Sequence, residues 1–233
     1  MTSFYKIAAG ILLSLAMGST AASAKTILVV GPHPDDESMV SGGRTRAAVL
    51  AGDTVYVVVA TNGDIDGKTF GLMREAESVA AAGVLGVPEQ NVIFLGYGDQ
   101  DMYNMWSSTS DTTVFKSVAG QTVTYANRGL GLTDFHTWRT GSPGAYNRAT
   151  AMDDFKALIT TFHPDEIYTV SYWDNHGDHA ATVYFINEAL IALKKQGLDT
   201  RVRVFQSMVW PPDTGNCYGD WPPAGSGPPP ATH

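Results

Sequence analysis

The sequence predicts an α/β fold: a three-layer sandwich with a mostly parallel sheet, Rossmann-like in outline. Three observations carry that prediction. Short β-branched runs recur along the chain, beginning with Thr26–Val30 and Thr54–Ala60. Longer segments with helix-like apolar spacing lie between them. Two clusters of imidazole and carboxylate, His33-Pro34-Asp35-Asp36-Glu37 and His176-Gly177-Asp178-His179, each come soon after such a run. Strands alternating with helices need crossover connections, and those make strands parallel. Open sheets of this kind place their sites beyond the carboxyl ends of the strands, where both clusters fall.

Each element has its own reason. Thr26–Val30 holds Ile27-Leu28-Val29-Val30 and reads as a short buried strand. Met39–Ala51, rich in Ala and Arg, reads as a helix. Thr54–Ala60 contains Val-Tyr-Val-Val-Val, too β-branched to prefer a helix. Gly71–Leu85 puts Leu72, Ala76, Val79, Ala80 and Gly83 near one helical face. Asn91–Leu95 is a third strand. Ala149–Phe162 spaces Met152, Phe155, Leu158, Ile159 and Phe162 as a helix does. Glu166–Val170 is a fourth strand, Ala180–Gln196 a helix stopped by Gly197, and Val202–Val209 a fifth strand. Gly96–Gly144 has no clear period and reads as loop and short strands flanking the mouth of a site.

Length and composition narrow the function. The 233 residues suffice for one sizeable α/β domain. With 44% apolar and 16% charged residues, the chain can build a substantial core. Its formal charge of -8 argues against nucleic acid or an anionic membrane as partner, since phosphate binding needs clustered Lys and Arg. Residues 1–24 read as a secretory signal peptide. Lys6 is the only charge there, Ile7–Met17 is apolar, and Ala22-Ser23-Ala24 offers a small-residue cleavage site. Its apolar run is about half the roughly 20 residues that span a bilayer. An uncleaved anchor is the rival reading. The expected mature domain is 25–210, secreted or periplasmic, with no stable membrane span once the leader is cut. Residues 211–233 are a Pro/Gly-rich tail or linker holding Cys217, a lone cysteine that precludes an intrachain disulfide.

The two clusters carry the chemistry. Carboxylates and imidazoles gathered at strand ends repel one another and lose hydration unless a cation or donors compensate. His, carboxylate and His suit a catalytic zinc with an open position. Iron(II) or cobalt could take the same ligands.

His33-Pro34-Asp35-Asp36 resembles the signature of the PIG-L/LmbE-like zinc deacetylases, and His176-Gly177-Asp178-His179 resembles their second metal element. Further motifs follow in the family's order: Thr61-Asn62-Gly63-Asp64, the helix motif beginning Arg74-Glu75, and Leu95-Gly96-Tyr97-Gly98-Asp99. The resemblance covers roughly Thr26 to Leu193. It implies His33, Asp36 and His179 as zinc ligands and Asp35 as general base. It implies His176 as the group that polarises the oxyanion and protonates the leaving amine, and Arg74 as a substrate contact where the residue alone reads equally as a solvated helix charge; Asp64 and Asp99 read as substrate contacts or as ordinary turn residues. The implied reaction removes the N-acetyl group from an N-acetylglucosamine-containing sugar or glycoconjugate. Where some members place a tyrosine to assist the oxyanion, this chain has Asp174.

Several residues keep two readings. Glu37 either caps the following helix or supports the site. Asp178 is a first-turn carboxylate or the partner of a ligand histidine. His136 reads as loop or substrate contact, and His163 as structural. Tyr97, Tyr103, Trp106, Trp138, Tyr146 and Trp173 stack on sugar rings or pack the loop. Two rivals stand beside the deacetylase: an amidase for another N-acyl conjugate, and a non-hydrolytic carbohydrate- or metal-binding module. A nucleotide-binding protein is disfavoured, because no Gly-x-Gly-x-x-Gly follows the first strand.

Overall fold

The computed structural model describes residues 23–198 and 200–209. The leader through residue 22, Cys217 and the Pro-rich tail lie outside the described residues. Five parallel strands form one sheet: β1 (Thr26–Gly31), β2 (Thr54–Thr61), β3 (Val92–Tyr97), β4 (Glu166–Val170) and β5 (Arg203–Ser207). Their order is β3-β2-β1-β4-β5. The helices are α1 (Asp36–Ala51), α2 (Lys68–Leu85), α3 (Met102–Ser107), α4 (Phe135–Thr140), α5 (Arg148–Phe162) and α6 (Gly177–Lys195).

Alternation along the strands divides the core into two layers. Ile27 and Val29 of β1, with Val55, Val57 and Val59 of β2, pack on Ala48 of α1 and Ala82 of α2. Leu28 and Val30, with Val58 and Ile93, face the other way onto Phe155 and Leu158 of α5 and Phe185 and Ile186 of α6. Each such side chain, fully buried, contributes about 1.5–3 kcal/mol.

Every expected strand and helix is present, with shifts at the ends. The segment 96–144 differs from expectation. It holds two short helices, α3 and α4, and its strand-like pairing is a single bridge, Val123 with Ala145. Buried carboxylates order much of it instead. Asp134 caps α4 through the Thr137 N–H at 2.9 Å and accepts from the Thr124 hydroxyl at 2.8 Å. Such capping has no sequence period. His163 is the left-handed C-cap of α5, a structural role. Among the described residues, no helix is long and apolar enough to cross a membrane.

The strand order reverses direction at β1, which pairs with β2 on one side and β4 on the other. The loops leaving β1 and β4 therefore emerge side by side, at the switch point where open sheets hold ligands. Those loops carry the two clusters.

Candidate metal centre

The turn after β1 is tight. Asp35 takes φ 124°, a region that side chains rarely adopt, and its own N–H donates to Glu37 Oε2 at 2.9 Å. The Arg74 guanidinium clasps the same turn. It donates to the carbonyls of Pro34 and Gly63 and to Asp35 Oδ2, the last at 3.1 Å. Gly63, at φ 56°, leaves room for this clasp: an added Cβ would lie 2.0 Å from Arg74 Nη1 and push the guanidinium aside. A strained residue so tightly held is a mark of a working site.

Below this turn, donor atoms converge. Asp36 Oδ2 lies 3.0 Å from His33 Nδ1 and 3.2 Å from His179 Nε2. The far nitrogen of each imidazole faces another carboxylate. His33 Nε2 is 3.2 Å from Asp178 Oδ2 and 3.3 Å from Asp99 Oδ1, and His179 Nδ1 is 2.8 Å from Asp174 Oδ2. An imidazole that donates its far N–H outward turns a lone pair inward. Two such lone pairs meeting a carboxylate oxygen need a cation or extra protons between them. The set is nitrogen and oxygen donors backed by outer carboxylates, so it fits a zinc ion.

Among the described residues, two groups have ligand atoms that all lie within 4.8 Å of one another, His33 with His176 and His179, and His33 with Asp99 and Asp178; Asp36 is in neither. We favour His33, Asp36 and His179 as the holding set. Asp36 touches both imidazoles, whereas His176 is already engaged as the N-cap of α6, where its Nδ1 accepts the Asp178 N–H at 3.2 Å. That bond leaves the proton of a neutral His176 on Nε2. Asp99 and Asp178 crowd the outer nitrogen of His33 rather than the inner one.

The electrostatics follow from this packing. Burial pushes His33 toward neutrality, but its bonds to Asp178, Asp36 and Asp99 prevail and hold its pKa well above the ordinary imidazole range. Burial opposes ionisation of Asp36, yet His179 and His33 keep its carboxyl far below the usual range. Burial and the neighbouring Asp36 raise the Asp35 carboxyl. Burial and then the charge of His33 lower the pKa of His176.

The structure gathers His33, Asp35, Asp36, Asp99, His176 and His179 around one spot, with Arg74 at its edge. Asp64 lies beneath it. It is 0% exposed, with one oxygen accepting the Asp99 N–H at 2.9 Å and the other the Tyr125 hydroxyl at 2.7 Å, so it braces the site floor. Glu37 supports the turn, with its other oxygen, Oε1, lacking a hydrogen-bond partner. His136 turns to Asp154 at 2.9 Å, and buried Tyr97 and Tyr146 pack against each other. Asp178 proves to be a hub, accepting the N–H groups of Gln100 and Met102 while meeting His33. Asp174, unremarked as a support in the sequence, fills that role for His179. Its position five residues before the histidine was the only available signal.

The fold and these donors define an open α/β protein with a metal-type centre at its switch point. The chain belongs to the PIG-L family: the family profile, described as GlcNAc-PI de-N-acetylase, matches residues 28–190. No curated protein matches the chain. Among solved structures, it is similar to the N,N′-diacetylchitobiose deacetylase of Pyrococcus horikoshii, at 21% identity and TM-score 0.48, over 80% of this chain and 59% of that one. It is also similar to a deacetylase of teicoplanin biosynthesis, at 19% identity and TM-score 0.47, over 79% and 68%. A third is the 4-carboxy-2-hydroxymuconate hydratase of a Pseudomonas, at 18% identity and TM-score 0.46, over 74% and 58%. The chain spans about three fifths of the first of these structures.

Proposed function

We propose that this protein is an exported, zinc-dependent N-deacetylase acting on a sugar or glycoconjugate that carries N-acetylglucosamine. The observation that supports it most is the pairing of two kinds of group. His33, Asp36 and His179 converge as ligands, and Asp35 and His176 stand beside them on the two separate loops. Family membership supports the same reading.

His33 Nδ1, Asp36 Oδ2 and His179 Nε2 would hold the metal. When bound, zinc supplies a Lewis acid and lowers the pKa of water toward about 7. Asp35 is the general base. Its raised pKa and half-open position suit it to take a proton from the attacking water. Arg74 fixes the direction of that carboxylate. His176 presents Nε2–H as a hydrogen-bond donor to the developing oxyanion, and the proton that Asp35 takes from water passes on to the departing amine. A simple binder has no need of a strained, clasped carboxylate beside its ligands.

The test measures zinc content and acetate release on N-acetylglucosamine and its β-linked dimer, with wild type, His179→Ala and Asp35→Ala prepared together. The expected result is near-stoichiometric zinc in wild type and Asp35→Ala, little in His179→Ala, and acetate release from wild type alone. Full activity in Asp35→Ala would overturn the mechanism. Zinc without turnover of any acetylated amine would favour the binding module. Export is tested separately: the N-terminus of protein recovered outside the cytoplasm is expected to begin at Lys25.

A further inference from the structure

The cleavage pattern Ala22-Ser23-Ala24 ends at a bond with a particular setting in the fold. Ser23 and Ala24 are exposed and belong to no strand or helix. Lys25, the next residue, is bound to the domain through each of its polar groups. Its carbonyl accepts the Thr54 N–H at 2.8 Å, beside the first rung between β1 and β2. Its side-chain ammonium is 2.8 Å from Oε1 of buried Glu166. Its backbone N–H donates to Asp53 Oδ1 at 3.0 Å. Thr26 continues the pattern, donating its N–H to Asp165 Oδ2 at 2.8 Å. The bonding that anchors β1 thus starts at the residue where the sequence predicts the cut.

Asp53 is the unusual partner. It follows Gly52, the left-handed C-cap of α1, and is half-buried. Glu166 is shared by Lys25, Arg44 and Arg203. Among the described residues, no lysine or arginine side chain pairs with Asp53. In the uncut chain this carboxylate therefore meets only a neutral amide N–H. Hydrolysis of the Ala24–Lys25 bond changes the donor without moving it. Water adds across the bond, Ala24 leaves with the carboxylate, and the Lys25 nitrogen becomes an α-amine that is protonated at neutral pH. An ammionium facing a carboxylate adds a Coulomb attraction that an amide lacks.

We propose that removing the leader before Lys25 completes the fold: the α-ammonium released by an export peptidase closes an ion pair with Asp53 that the precursor cannot make. The pair pins the start of β1, the strand that leads to His33. The inference rests on the export part of the reading above and is independent of the substrate.

The experiment compares chains that begin at Lys25 and at Ser23, each with Asp53 and with Asp53→Asn. In the longer chain the terminal charge lies about 7 Å of extended backbone farther away. Unfolding in urea is followed at low and at high salt. With Asp53 present, the Lys25 chain is expected to have an unfolding constant about twofold to fivefold smaller than the Ser23 chain, the size of a partly exposed ion pair. The gap closes in Asp53→Asn. It also shrinks at about 1 M salt, where the screening length is about 3 Å. A gap that persists in Asp53→Asn, or no gap at all, would overturn the pair. If Asp53→Asn does not fold, the salt dependence of the two Asp53 chains decides instead. Sequencing the N-terminus of the exported protein separates the two readings. A start at Lys25 without the gap leaves export standing and refutes the ion pair. A start elsewhere, or no export, refutes leader removal as the source of the pair whatever the gap.

Discussion

Replacing Asp174 by Asn should loosen the metal without disturbing the loop that carries it. The Asp174 side chain is 0% exposed and its Oδ2 is 2.8 Å from His179 Nδ1. It also accepts the Val209 N–H at 3.2 Å, so it joins the end of β5 to the site. Asn keeps the shape and one acceptor oxygen but removes the charge. A hydrogen bond to a charged group contributes about 1.5–3 kcal/mol. At about 1.4 kcal/mol per tenfold, losing it weakens zinc binding about 10–100-fold, the range found for supports of ligand histidines. The assay is competition for zinc against a chromophoric chelator, run beside thermal unfolding of the chelated protein. In chelated wild type, Asp174 and Asp36 outweigh burial and raise His179. A raised imidazole stabilises the fold most below its unfolded pKa, and that contribution is lost as pH climbs through the folded value. The Asn variant should therefore lose stability mainly on the acid side of neutrality. A Kd within twofold of wild type would refute the claim that Asp174 orients and strengthens this ligand.

Other perturbations follow from the same geometry. Glu75 is 0% exposed, and burial pushes its carboxyl up to about 7. Stability should fall as pH rises from about 4.5 through about 7, and Glu75→Gln should remove that slope, gaining up to about 3 kcal/mol at pH 8 in denaturant titrations. An unchanged slope would show that Glu75 is not the group responsible. Arg74→Ala removes the charge that lowers Asp35, so the acid limb of the kcat profile should move to higher pH. Its plateau should drop about tenfold, part of the 10²–10⁴ that a positioned base provides; an unmoved limb would detach Arg74 from Asp35. Phe185 is fully buried and stacked on Phe155 at 5.4 Å, so Phe185→Ala should cost about 3–5 kcal/mol in chemical denaturation while zinc stoichiometry holds.

The readable parts of the chain were those whose cause is local. Val-Tyr-Val-Val-Val announces β2 because branched side chains resist a helix, and Gly197 follows the end of α6 just as expected. Both ligand clusters could be placed at strand ends because each comes soon after an apolar run. What stayed hidden depends on which way a turn carboxylate points. Asp64 matches a family motif, yet it is drawn inward by Tyr125, a residue 61 positions away. Asp178 kept two readings, first-turn acid or partner of a ligand histidine, and Asp174 marked only a missing tyrosine, until the fold set an imidazole against each. The order in 96–144 comes from Asp64 and Asp154 accepting from residues 35 and 57 positions away, and from Asp134 bonded to Thr124 within the segment, which leaves no periodic trace.

The pairing of β1 with β4 also bears on how the site comes into being. Asp178 and His33 meet across 145 residues of chain. Neither loop alone offers a full ligand set, so the centre exists only after that long closure has occurred. Closing so large a loop is slow and entropically costly. A metal that binds only the closed form adds its own binding free energy to the fold, by RT ln(1 + [M]/Kd). The ion would thus act as a clasp between the two halves of the sheet as well as a reagent. Zinc supply during folding would then set how much of the newly made chain reaches its native state.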